Sequence, residues 1–378
     1  MQLKGGRHFS YCLNVHPGES LESILSVIRT KVPEIKQALS PDRPFGLGLR
    51  IAKDASMDLK QPGMLPLLRK EMADADCYTF TLNGFPFGAF HQTRVKEQVY
   101  QPDWSSPERL TYTQDLFLQL AKLLPPETEG SVSTVPLGYK FDASAPGQRP
   151  FMVQQLRNLA FDLDQLQKET GKYLHLGLEP EPDCILETTA EAVRFFKEEL
   201  YKDTGKDEEL IRRHIGICLD TCHVAMQFED PEETVNLLSR EGIRISKTQI
   251  SAALECDAGI DPGRLNVFDD GVYLHQIKSQ HGRAWQDVPH FLSATDRNAG
   301  TIRIHAHVPL HWSGDDELRS TRHTLTPGFW KALAQSDCTH FEVETYTFDV
   351  LPASIRAGRS VSEDMIAECQ WALAAIER

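Results

Sequence analysis

The feature that most limits the folds open to this chain is a rhythm. Short β-rich runs alternate with longer amphipathic segments along its length. The β-rich runs are YCLNV (11–15), FGLGLRI (45–51), CYTFTL (77–82), SVSTVPL (131–137), YLHLGL (173–178), HIGICL (214–219), IRISKTQI (243–250) and HFEVET (340–345). Between most of them apolar residues recur at helical spacing, as at Leu21, Ile24, Leu25, Ile28 and Val32. Strands alternating with helices pair in parallel, so eight such units predict an α/β fold, a (β/α)8 TIM barrel, over residues 1–378 as a single domain. The alternative is an open doubly wound sheet. That fold normally carries a Gly-rich phosphate loop after an early strand, and none is present. A length of 378 residues suits one barrel with insertions.

Two places break the rhythm. After the third strand comes a long loop rich in glycine, proline and aromatics, "NGFPFGAFHQTRVKEQVYQPDW", read as an ordered lid over residues 83–104. After the seventh comes an insertion at 252–300, then an extra strand-like run, "TIRIHAHVPLHW", with His305, His307 and His311. His281 and Arg283 in the insertion are lower-ranked candidates for touching a substrate.

In a β/α barrel the chemistry sits at the C-terminal ends of the strands. Strand five runs straight into Glu179 and Glu181, with prolines that keep the backbone extended and delay the next helix to Thr188, its expected cap. Strand six ends at Asp220, with His223 three residues on. Strand seven offers Lys247, Gln249 and Ser251 on one face, and strand eight offers Glu342 and Glu344, because side chains alternate with period two. Any one of these has an ordinary explanation: a lone glutamate is usually solvated, and Asp220 can simply cap a helix. Their joint occurrence does not. Carboxylates gathered at one mouth repel unless a cation or proton neutralises them.

These residues also carry a resemblance. "LEPEPD" is similar to the Glu-Pro-Lys-Pro signature of xylose isomerases, "LDTCH" to that family's carboxylate-x-x-His, and "HFEVETY" to the closing strand of the xylose-isomerase-like superfamily. "NVHPGES", "NGFPFGAFH", "VKEQVYQPDW" and "RLTYT" resemble the ebo-cluster metabolite-traffic family within it, over most of the chain. The resemblance implies a xylose-isomerase-like barrel with one divalent metal (Mn, Mg, Co or Zn) held by Glu179, Asp220 and Glu344, with Glu342 the second choice for the last. Strand seven offers Gln249, a candidate ligand through its uncharged amide oxygen, where the family has His or Asp. His307 is therefore a further candidate ligand and His305 a second choice. Glu181 stands where xylose isomerases have a lysine, which argues against a hydride shift.

The expected activity is a metal-dependent isomerase or epimerase acting on a small polyhydroxylated carbonyl substrate, with Glu179 and Glu344 moving protons. His16, His91, Glu181, His223, Lys247 and Trp104 are the candidate substrate contacts, with Phe85, Phe87 and Phe90 excluding water. A non-catalytic metabolite-binding protein on the same barrel is the alternative, and a metal-dependent phosphodiester hydrolase is disfavoured. The formal charge of −14 argues against a nucleic-acid partner. Eight scattered cysteines read as buried reduced thiols. Residues 1–20 hold no signal-peptide apolar core and no run is long enough to span a bilayer, so a cytoplasmic location without membrane insertion is expected. Homo-oligomers or pathway partner proteins are left open.

Overall fold

Seven strands run parallel in chain order: β1 (His8–Cys12), β2 (Phe45–Arg50), β3 (Cys77–Asn83), β4 (Gly130–Thr134), β5 (Leu174–Leu178), β6 (Ile215–Asp220) and β7 (Ile245–Ile250). Five short strands follow: β8 (Leu254–Asp257), β9 (Ile277–Ser279), β10 (Ala284–Trp285), β11 (Thr301–Ile304) and β12 (Arg319–Ser320). The last, β13 (His340–Val343), inserts between β7 and β1 and closes an eight-stranded barrel. The eight β-rich runs of the sequence are thus the eight barrel staves. This computed structural model describes residues 1–89, 96–142, 147–297 and 299–377. His91 and Phe90 lie outside the described residues.

The staves read as near-continuous apolar runs because helices cover the outside while side chains fill the inside. Every residue of β2, β4, β5, β6, β7 and β13 is buried. The helix Leu21–Thr30 presents Leu21, Ile24, Leu25 and Ile28 to the barrel and starts at Ser20, whose hydroxyl accepts from the Ser23 amide at 3.1 Å. Thr188 caps the helix Thr189–Phe195 through a reciprocal box with Glu191, satisfying amides that the first turn leaves without partners. At the N-terminal end the barrel is plugged by rings: Phe80 lies 4.8 Å from His340, which lies 5.4 Å from His175. Burial holds both imidazoles well below their usual range, so they pack as neutral rings.

The five short strands form a separate antiparallel sheet in the order β10-β9-β11-β8-β12. Ion pairs pin this sheet over the barrel mouth. Lys278 of β9 reaches Asp183 at 2.8 Å and Glu187 at 2.6 Å, both in the segment that follows β5. Arg303 of β11 pairs with Glu255 and donates to the Ala225 carbonyl at 2.6 Å. The run expected as a strand over 301–312 is a strand only as far as Ile304. There the Ala306 amide turns back to the Ile304 carbonyl at 2.7 Å, and Pro309 has no N–H to extend a ladder. His305 and His307 leave the sheet at that bend and enter the mouth. All eight cysteines are buried and free. No helix among the described residues is long and apolar enough to cross a membrane.

Candidate metal centre at the barrel mouth

Glu179 directly follows β5, held by its amide on the Thr134 carbonyl at 3.0 Å. Asp220 ends β6 and has two roles. Its Oδ1 accepts from the Cys222 amide (2.7 Å), the His223 amide (3.2 Å) and the Ser251 hydroxyl (2.6 Å), capping the helix Thr221–Met226. Its Oδ2 is buried without a partner. The cap reading and the site reading therefore apply to different oxygens of one carboxylate.

Glu344 follows β13 and sits in a nest of amides. Its Oε1 accepts from Asn83 at 2.9 Å and from Asn14, and its Oε2 accepts from Gln249. His307 donates from Nδ1 to the Glu344 backbone carbonyl at 2.8 Å, which leaves Nε2 as a buried lone pair without a partner. Glu179 Oε2 is orphaned in the same way. One carboxylate oxygen from each of Glu179, Asp220 and Glu344 lies within 4.8 Å of the others, and Asp220, His223 and His307 form an overlapping set.

Burial, and then the facing carboxylates, raise Glu179 and Glu344 well above the ordinary carboxyl range. Burial likewise lifts Glu181 to about 8, against the Tyr100 hydroxyl that donates to it at 3.1 Å. His223 is lowered to about 4 by burial. Two acids, Glu179 and Asp220, and the His307 imidazole each keep a buried atom without a partner, beside the third acid, Glu344. A buried polar atom without a partner costs about 1–3 kcal/mol, so this arrangement fits a divalent cation: carboxylates supply charge and His307 supplies a nitrogen.

Over these groups opens a cavity that is partly open to solvent. Glu179, Glu181, His223, His305, His307 and Glu344 form its polar side, and Phe85, Tyr100, Tyr273 and Tyr346 its aromatic wall.

The remaining candidates fall elsewhere. Lys247 is fully buried and its ammonium is paired with Glu342, also fully buried, one layer below the mouth. Burial opposes the Lys247 charge, but the adjoining Glu342 carboxylate outweighs it and holds the ammonium above its usual range. Neither group lines the cavity. Gln249 gives its amide nitrogen to Glu344 and takes the Cys218 thiol at 2.7 Å on its oxygen, so it orients Glu344 from behind. Trp104 is buried against the barrel and His16 contacts the Tyr11 hydroxyl at 3.2 Å; neither lines the cavity. Phe87 packs on Tyr112 at 4.9 Å. His311 pairs with Asp364, and Arg283 with Asp296; His281 is exposed.

Some lining residues had no place in the sequence reading. Asn14 and Asn83 follow or end β1 and β3, so the rule about strand ends, applied to uncharged amides, would have found them. Tyr273 lies on the insertion, where no sequence signal reports which way it docks.

No family model and no curated protein matches the chain. Solved structures do. A xylose isomerase domain protein from Alicyclobacillus acidocaldarius subsp. acidocaldarius aligns with a TM-score of 0.51 at 11% identity, covering 98% of each chain. The IOLI protein, described with a binding zinc atom, aligns at 0.51 and 12% identity, again over 98% of each. A putative sugar phosphate isomerase/epimerase from Anabaena variabilis aligns at 0.50 and 13%, over 98% of each. At such identities the likeness establishes the fold alone: this chain has the xylose-isomerase-like TIM barrel.

Proposed function

We propose that the chain is a metal-dependent isomerase or epimerase acting on a small polyhydroxylated carbonyl compound. The observation that carries this reading is that Glu179 Oε2, Asp220 Oδ2 and His307 Nε2 are all buried and unpartnered, in two clusters of ligand groups, Glu179 with Asp220 and Glu344 and Asp220 with His223 and His307, that share Asp220 beside an open cavity. Glu179, Asp220, Glu344 and His307 would hold one divalent ion, which when bound supplies Lewis-acid polarisation of a carbonyl and its neighbouring hydroxyl.

The protein groups divide the remaining work. Glu344, fixed by Asn14, Asn83 and Gln249, keeps a set orientation. Glu179 keeps an oxygen without a partner and is the group able to take a proton from the carbon beside a carbonyl, while Glu344 returns one. Burial and the facing carboxylates raise both groups above the ordinary carboxyl range, the direction that makes a carboxylate a stronger base. Tyr100, Tyr273 and Tyr346 would cover the apolar face of the ligand and exclude water. The loop sequence that resembles the ebo-cluster family favours a secondary-metabolite precursor within this substrate class.

The test is solvent deuterium wash-in on a panel of aldoses, ketoses and hydroxy-keto acids, with protein reconstituted in Mn²⁺, Co²⁺ or Zn²⁺. Exchange at the carbon next to the carbonyl, abolished in Glu179→Gln, is the expected result. Tight binding of a panel member with no exchange under any metal would replace this reading with the metabolite-binding one.

A further inference from the structure

The cavity is more acidic than one divalent ion balances. Glu179, Glu181 and Glu344 line it, and Asp220 adjoins Glu179 and Glu344. Among the described lining residues the one cation is Lys96, whose ammonium is taken by Asp287. An ion held by Glu179, Asp220, Glu344 and His307 leaves Glu181 without a cation of its own.

What Glu181 faces follows from a chain of hydrogen bonds. The Tyr100 hydroxyl donates to Glu181 Oε1 at 3.1 Å, so it accepts from Gln276 Nε2 at 3.0 Å. That turns Gln276 Oε1 toward His305 Nδ1 at 2.8 Å, which therefore carries the ring proton and leaves Nε2 bare. His223 Nδ1 lies 3.0 Å from the Pro180 carbonyl, which only accepts, so its Nε2 is bare as well. The two bare nitrogens stand 3.1 Å apart, and Glu181 Oε2 is 3.9 Å from that of His223. Glu181, His223 and His305 thus bring one acceptor each within 4.8 Å of the others. The nitrogen lone pairs repel unless a donor enters against them. The rings of Phe85, Tyr100, Tyr273 and Tyr346 line the same space, and aromatic faces attract cations.

A ligand group that satisfies these walls carries positive charge and several N–H donors. A hydroxyl brings one hydrogen and no charge. A carboxylate or phosphate brings repulsion, and a quaternary ammonium has no hydrogen to give. We propose that Glu181, His223 and His305 bind a protonated primary amine of the substrate, so that the compound turned over is an amino sugar or amino polyol rather than a neutral sugar. This rests on the function proposed above and narrows its substrate class. His223 also belongs to the set with Asp220 and His307, which places the amine on a carbon close to the reacting carbonyl. The selectivity comes from the insertion, since Gln276 precedes β9 and His305 follows β11.

The test is a ligand-observed NMR titration of the full chain with 3-amino-1,2-propanediol, its N-acetyl derivative and glycerol, at about pH 7, where the amine is protonated. Excess Mg²⁺ is present, a hard ion that takes oxygen ligands over amines. Wild type should bind the amine about tenfold or more tighter than glycerol, the factor that one charge-assisted hydrogen bond supplies, and the N-acetyl compound no better than glycerol. Glu181→Gln should close that gap and His305→Gln should narrow it. Circular dichroism shows whether each variant is folded, and Glu181→Gln, nearly isosteric, carries the test if His305→Gln is not. Equal affinities in wild type, no binding of the amine, or a gap that persists in Glu181→Gln would each overturn the proposal. The same titration on chelator-stripped protein separates the two readings: glycerol affinity that ignores Mg²⁺ would contradict the metal centre, while the amine gap answers for the ammonium site.

Discussion

In the metal-free state the stability of this protein should fall as pH rises, and Glu181 gives the size of the effect. In the unfolded chain a glutamate titrates near 4.5, whereas burial places folded Glu181 at about 8. The folded state thus binds the extra proton between those two values. A group with a raised folded value contributes full stability below its unfolded value and loses that contribution as pH rises through its folded one. Each pH unit in the window is worth about 1.4 kcal/mol. Between about pH 5.5 and 8 the apo protein should therefore lose roughly 3 kcal/mol to this residue alone. Glu179 and Glu344, raised in the same direction, add to the slope. Urea unfolding of chelator-treated protein across that range measures it. Glu181→Gln cannot ionise and should show a visibly flatter profile, and added Zn²⁺ should flatten the wild-type profile by neutralising the acids. An identical slope in Glu181→Gln and wild type would refute the claim that Glu181 is buried and protonated in the apo state.

Other predictions follow from particular contacts. Lys247→Met leaves Glu342 charged and buried without its partner and should cost about 3–5 kcal/mol; adding Glu342→Leu should recover most of that in a double-mutant cycle by denaturant unfolding. Gly48→Ala places a methyl against Glu342 Oε1 and should destabilise by about 1–3 kcal/mol, read as a lower thermal midpoint, with relief in a Glu342→Ala background. Tyr100→Phe removes the hydroxyl that donates to Glu181 and accepts from Gln276. It should weaken 3-amino-1,2-propanediol binding several-fold in the NMR titration while leaving the circular dichroism unchanged.

The barrel was legible because parallel staves buried on both faces leave an unbroken apolar signature, and helices between them leave a 3.6-residue one. Runs such as HIGICL and YLHLGL admit little else. The acids were legible for a different reason: Glu179 and Asp220 interrupt that signature where a barrel does its chemistry. Period-two reasoning then reached its limit. It placed Lys247 with Gln249 and Glu342 with Glu344 on shared faces, and they do share them. Residues two apart on a stave, however, occupy successive layers of the barrel, so Glu344 and Gln249 meet at the mouth while Glu342 and Lys247 neutralise each other beneath it. Sequence does not show at which layer the interior stops being core.

The contribution of the inserted sheet was harder to read. The run that carries His305 and His307 read as strand-like because alternation was all the sequence displayed there. Their entry into the mouth depends on the bend at Ala306, on the ion pairs from Lys278 to Asp183 and Glu187, and on the hydrogen bond from Arg303 to the Ala225 carbonyl. Asn14 and Asn83 were passed over because amides at strand ends also suit ordinary turns. Their function emerges only once Glu344 lies between them.

The most direct test of the central claim is anomalous diffraction from crystals grown with Mn²⁺ or Zn²⁺ and measured at the metal's absorption edge. A peak is expected at bonding distance, about 2.0–2.2 Å, from Glu179, Asp220, Glu344 and His307, with its loss in the Glu179→Gln, Asp220→Asn double variant. A barrel mouth without a peak in wild type, at saturating metal, would contradict it.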